Sequence, residues 1–224
     1  MESLHLTTSD AVMIAANYYP ADPPKRSSPN GWIVFLHMMP ATKESWDPLA
    51  RRLQCEGYAS IAIDLRGHGA SDGGPYGFKA FSEAEHLGSR RDIDAAIEFL
   101  KGIGAHEDRI VLIGASIGAN LALDHIQHHR AAKKAVLISP GMDYHGIMAL
   151  PLIKTLQEDR QLLFIGSRDD DHEPGNAEDI EVLSRSAPNG VQVQTALVEA
   201  GGHGTTILLG HPELIETIIT FITS

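Results

Sequence analysis

The chain has 224 residues, a net charge of −11 and apolar and charged fractions ordinary for a globular protein, enough for one α/β domain over residues 1–224. That charge excludes a basic surface built to hold phosphate, so nucleic acid is not an expected partner. Cys55 is the only cysteine, which excludes an intrachain disulfide; with no secretory pattern in MESLHLTTSD and no apolar run near the ~20 residues of a membrane span, a cytoplasmic protein without a membrane span is expected.

Strands are predicted at 4–7 and 12–19, paired across the Ser9–Asp10 turn. Residues 21–31, rich in Pro, Ser and Lys, form a surface loop. A buried strand at 32–37, a helix at 46–56 with Cys55 on its buried side, and a strand at 58–64 follow. The glycine-rich turn RGHGASDGG then leads to a long helix at 82–101, with Asp92, Asp94 and Glu98 on its wet side and Ile93, Ile97 and Leu100 in its apolar stripe. A strand at 109–114, a helix at 116–129, strands at 135–139 and 162–166, a helix at 177–186, a strand at 191–198 and a helix at 212–222 complete the chain. Such alternation implies a mostly parallel sheet with helices on both faces.

Chemistry concentrates at IVLIGASIGAN, residues 110–120. An apolar run ends at Gly114, Ser116 follows, and a helical pattern opens at Gly118. This is G-x-S-x-G between strand and helix, the setting that lifts a serine oxygen above a sheet. Gly69 to Gly73 matches the same pattern around Ser71, but turn residues follow it and no helix starts there.

A serine hydroxyl needs a base, and the base needs an orienting acid. On a sheet of this kind the acid and then the base follow the serine in the chain. His125, His128 and His129 lie on the helix that Ser116 opens, facing solvent or capping its end; His145 sits in a linker and His211 starts the last helix. His203, in the loop EAGGHGTT just past a strand, is the base. Asp169, at the end of strand 162–166, is the acid, with Asp170 as nearest rival and Asp143 behind it. Two backbone amides should hold the oxyanion, those of Ile117 and of Met39 in the loop HMMP. The run DDDHE at 169–173 has the residue types of a metal site. Adjacent polar residues with no distant partner do not make one, so no metal is expected.

With these parts in order the chain resembles the α/β-hydrolase superfamily over nearly its full length, and within it small bacterial serine esterases of the dienelactone-hydrolase-like kind. The HMMP loop, DLRGHGASDG, GASIGAN, the strand with its acid, and GGHG carry the likeness. Two departures stand out: His37-Met38 replaces the family's usual His-Gly, and serine replaces the cysteine of dienelactone hydrolases proper. The resemblance implies a cofactor-free carboxylesterase acting on small to medium apolar esters, with no large cap domain. Residues 140–161 must then supply any lid. Met142 and Tyr144, with Met38, are the expected substrate-binding residues; Ile147, Met148, Leu150 and Leu152 either join them or pack with them as one helix on the core. Thioester or amide hydrolysis, acyl transfer to another nucleophile, and a silent binding protein on the same scaffold are the alternatives. Oligomeric state is not legible.

Overall fold

The computed structural model describes residues 1–22, 28–172 and 175–224. In chain order these form β1 (Glu2–Thr7), β2 (Met13–Tyr19), β3 (Trp32–Leu36), α1 (Asp47–Cys55), β4 (Ala59–Ile63), α2 (Glu83–Leu87), α3 (Arg90–Gly102), β5 (Ile110–Ala115), α4 (Ile117–His128), β6 (Lys134–Ile138), the short strands β7 (Asp143–Tyr144) and β8 (Ile147–Met148), α5 (Ala149–Lys154), β9 (Gln161–Ser167), α6 (Ala177–Arg185), β10 (Gln192–Val198), α7 (Thr206–Gly210) and α8 (Glu213–Thr223). Part of the predicted loop at 21–31 and Glu173 of the DDDHE run lie outside the described residues.

Eight strands make one sheet in the order β1-β2-β4-β3-β5-β6-β9-β10. Strand β2 runs antiparallel to β1 and β4, and the remaining pairs are parallel. Every residue of β3, β4 and β5 is buried, as strands covered on both faces require. One face packs against Ile93, Ile97 and Leu100 of α3, Leu121 of α4 and Ile180 of α6. The other packs against Leu49 and Leu53 of α1 and Ile218, Phe221 and Ile222 of α8. Parallel strands send all their carboxyl ends to one edge, and the chemistry gathers there.

The expected long helix at 82–101 is two helices. A capping box between Ser82 and Glu85 starts α2, which stops at Gly88. A Cβ at Gly88 would come 2.8 Å from the Arg66 guanidinium. That guanidinium also explains why Asp92 is buried and not on the wet side: its carboxylate accepts from Arg66 Nε at 2.9 Å and Nη2 at 2.8 Å, and from the Arg66 amide at 2.9 Å. A buried cation needs such a partner. Cys55 is exposed, since the helix turns Leu49, Ala50 and Leu53 inward instead. His125 is buried on the inner face of α4 and does not reach solvent as expected.

Between β6 and β9 stand only the β7–β8 hairpin and α5, so there is no large cap. Residues 140–161 therefore do not form one helix. The hairpin turns at His145 and Gly146, both at positive φ (52° and 84°). Among the described residues no helix is long and apolar enough to cross a membrane.

Candidate active site

Ser116 stands between β5 and α4 with φ 56° and ψ −122°. A non-glycine residue persists in that region only where its surroundings impose it. Here the Ser116 amide donates to the Ile138 carbonyl at 2.8 Å, and its own carbonyl accepts from Ala119 and Asn120. The flanking glycines are required by close approach: a Cβ at Gly114 would run into the Gly118 carbonyl, and one at Gly118 into the Leu36 carbonyl. Ser71, the other pattern match, spends its hydroxyl on the fold. It donates to the Asp64 carbonyl at 2.6 Å and accepts from the Ala15 amide at 2.8 Å.

The loop after β10 carries His203 back over the sheet edge. Its Nδ1 donates to Asp170 Oδ2 at 2.7 Å, and the Asp170 side chain is fully buried. The expectation of Asp169 as its partner is corrected. The exposed Asp169 carboxylate accepts from the Gly201 and Gly202 amides at 2.9 and 3.0 Å and from the Ser167 hydroxyl. It fixes the root of the histidine loop, while its neighbour meets the ring. Asp143 accepts from the Gly146 amide at 2.8 Å in the hairpin turn and has no such place. Burial pushes His203 below the ordinary histidine value, and the Asp170 hydrogen bond opposes that shift. With Nδ1 donating, Nε2 is left to accept a proton.

Tyr144 reaches the same place from the hairpin. Its hydroxyl lies beside the Ser116 side chain and donates to the Ser139 carbonyl at 3.4 Å. A Cβ at Gly175 would meet this hydroxyl, His203 Cε1 and the Ser139 carbonyl together, so these groups surround one small space. Met38, in the loop after β3, lies against Gly204 and accepts from the Thr205 hydroxyl at 3.9 Å. His37 holds that loop: its Nδ1 donates to the Met38 carbonyl at 2.9 Å, and its Nε2 accepts from the Leu65 amide at 3.0 Å. Met39 follows on this loop, and Ile117 follows Ser116 at the start of α4. Met142 is partly buried, its amide donating to Asp179 Oδ2 at 3.3 Å.

Two supporting residues, Ser139 and Asn120, carry no sequence signal of their role, and His172 is marked only as part of the DDDHE run. The Ser139 hydroxyl donates to Asp170 Oδ2 at 3.3 Å and accepts from the Gly204 amide at 3.0 Å, tying acid and histidine loop together. Asn120, wholly buried on α4, donates to the carbonyls of Gly141 and Ile147, both at 2.8 Å, and so anchors the hairpin. His172 stacks on His203, with ring centroids 4.4 Å apart. The asparagine follows directly on the GASIGA of the elbow, yet nothing in the sequence shows which distant backbone groups it meets.

A family model described as Serine aminopeptidase, S33, matches residues 27–188. No curated protein matches the chain in sequence. Solved structures do match in fold. The esterase Pf2001 of Pyrococcus furiosus superposes with a TM-score of 0.78 at 18% identity, covering 99% of this chain and 89% of that one. The esterase EaEST of Exiguobacterium antarcticum gives 0.76 at 17% identity over 100% of both chains. An alpha-beta serine hydrolase homologue from Coxiella burnetii gives 0.72 at 16% identity, covering 98% and 96%.

Proposed function

Because the chain belongs to the serine aminopeptidase family of α/β-hydrolases, we propose that it is a carboxylesterase that cleaves small to medium apolar esters through Ser116, His203 and Asp170. The observation that carries this reading is the 2.7 Å contact from His203 Nδ1 to a fully buried Asp170, on the sheet edge that also bears the constrained Ser116. His203 Nε2 takes the proton as Ser116 Oγ attacks the carbonyl carbon. Asp170 keeps the ring in the needed tautomer and stabilises its charged form. The Ile117 and Met39 amides hold the oxyanion. The alcohol leaves with the proton from His203, and water repeats the sequence on the acyl-enzyme. No step calls for a cofactor.

On this reading Met38 and Met142 favour an apolar acyl group, and the Tyr144 hydroxyl meets its polar end. The family description names a peptidase, so amide hydrolysis is the second reading. Matched p-nitrophenyl esters, thioesters and amino-acyl amides of rising chain length test both. The ester is expected to turn over fastest, and Ser116→Ala to lower its kcat on the order of 10⁴–10⁶-fold. Preference for the amide would select the second reading, and unchanged turnover in Ser116→Ala would overturn both.

A further inference from the structure

We propose that Asp170, His172 and His203 form a site for a zinc-class divalent cation, and that filling it switches the hydrolase off. The inference builds on the assignment of His203 as base. In the sequence the DDDHE run has no distant partner, and the fold supplies one in His203.

Asp170 stands between two imidazoles. Its Oδ2 lies 2.7 Å from His203 Nδ1, and its Oδ1 lies 3.2 Å from His172 Nδ1. The His172 amide also donates to Oδ1 at 3.1 Å, which roots that imidazole beside the carboxylate. One donor atom from each residue falls within 4.8 Å of the others. Ligands about 2.0–2.1 Å from a tetrahedral ion sit roughly 3.3 Å apart, so modest ring rotation brings all three to bonding distance. The exposed His172 ring has room to turn on the His203 face that it stacks against, and its exposure gives the ion a way in. Two imidazoles and one carboxylate suit zinc, copper or nickel, not magnesium or calcium.

The consequence for catalysis follows from the ring. An ion bonded to Nδ1 takes the lone pair there, and the Nδ1 proton moves to Nε2. The ring stays neutral and no electron is transferred. Nε2 then holds a proton and has no lone pair with which to deprotonate Ser116. Coordination also takes Asp170 away from His203.

A second cluster, Asp94 with His125 and His129, places Asp94 Oδ1 3.9 Å from a nitrogen of each ring. It is the weaker site. Coordination through His125 Nδ1 would leave a proton on Nε2, a buried atom with no hydrogen-bond partner among the described residues. It also lies outside the proposed catalytic groups, so His129→Ala removes it as a complication.

In the His129→Ala background, ester hydrolysis is followed while ZnCl2 is raised and then chelated. Reversible inhibition is expected, with no effect of MgCl2. His172→Phe keeps the ring stacked on His203 but removes the ligand. Its inhibition is read against its own rate in chelator, and it should need at least about tenfold more zinc than its parent for the same fractional loss. Equal zinc sensitivity in both, or an active parent untouched by millimolar zinc, would overturn the proposal. If the parent cleaves no ester, the hydrolase reading fails separately. Zinc calorimetry still decides the site: one bound zinc lost on His172→Phe supports it, and unchanged binding refutes it.

Discussion

Asp169 and Asp170 are adjacent carboxylates with different partners, and the difference has a measurable size. Asp170→Asn removes the charge that holds His203 in its working tautomer and should lower kcat by about 10⁴, the loss seen for this change in a serine-protease triad. Asp169→Asn keeps an oxygen for the Gly201 and Gly202 amides, so its loss should be far smaller. Steady-state kinetics on the two variants decides, and equal losses would contradict the assignment. The pH profile is a second check. Burial holds His203 below the ordinary value of about 6.5, so the ring, as the proposed base, stays neutral into mildly acidic solution. In chelator, the acid limb of kcat/KM should lie below that value; a limb above it would contradict the burial argument. The positions of Ser116 and His203, each past a strand end in a glycine-rich turn, were legible in the sequence. The choice between neighbouring aspartates was not, because one residue along a turn reverses which carboxylate faces inward.

Helices and strands supply the site with its walls. Asn120 on α4 carries the β7–β8 hairpin through bonds to Gly141 and Ile147, and its Oδ1 accepts from the Gly141 amide at 3.2 Å. Asn120→Ala strands three buried backbone groups. It should cost about 2–4 kcal/mol in urea unfolding, since each unsatisfied group costs roughly 1–3 kcal/mol. A loss under about 0.5 kcal/mol, the range of ordinary surface substitutions, would show that the hairpin is held otherwise. Periodicity revealed the elements that pack on the sheet, because their apolar stripes repeat. The break at Gly88 and the hairpin at 143–148 were hidden, since Arg66 and Asn120 impose them from far along the chain.

Across the whole molecule, buried histidines couple the fold to acid. Burial lowers His37 and His86 to about 4 and His125 to about 3. In the unfolded chain each takes a proton near 6.5, so the unfolded state binds more protons in between. Their stabilising contribution is complete above about 6.5 and is lost as pH falls toward 4 and below. Asp92, raised by burial to about 6, and Asp94, also raised by burial, work the other way, while burial lowers His68 and His203 as it does the first three. The thermal midpoint should therefore drop between neutral pH and about 4.5, and a flat or rising midpoint would contradict this balance. The alternation of strand and helix signals made the parallel sheet legible at this scale. It gave no sign that histidines would be buried, because burial depends on which helix face the completed sheet covers.

The central claim is that Ser116, not the pattern-matched Ser71, is the activated nucleophile. Reaction of the folded protein with a fluorophosphonate, followed by peptide mapping, tests it directly. The predicted result is one adduct, on Ser116, with Ser71 unmodified. An adduct on Ser71, or folded protein that takes no label at Ser116, would contradict it.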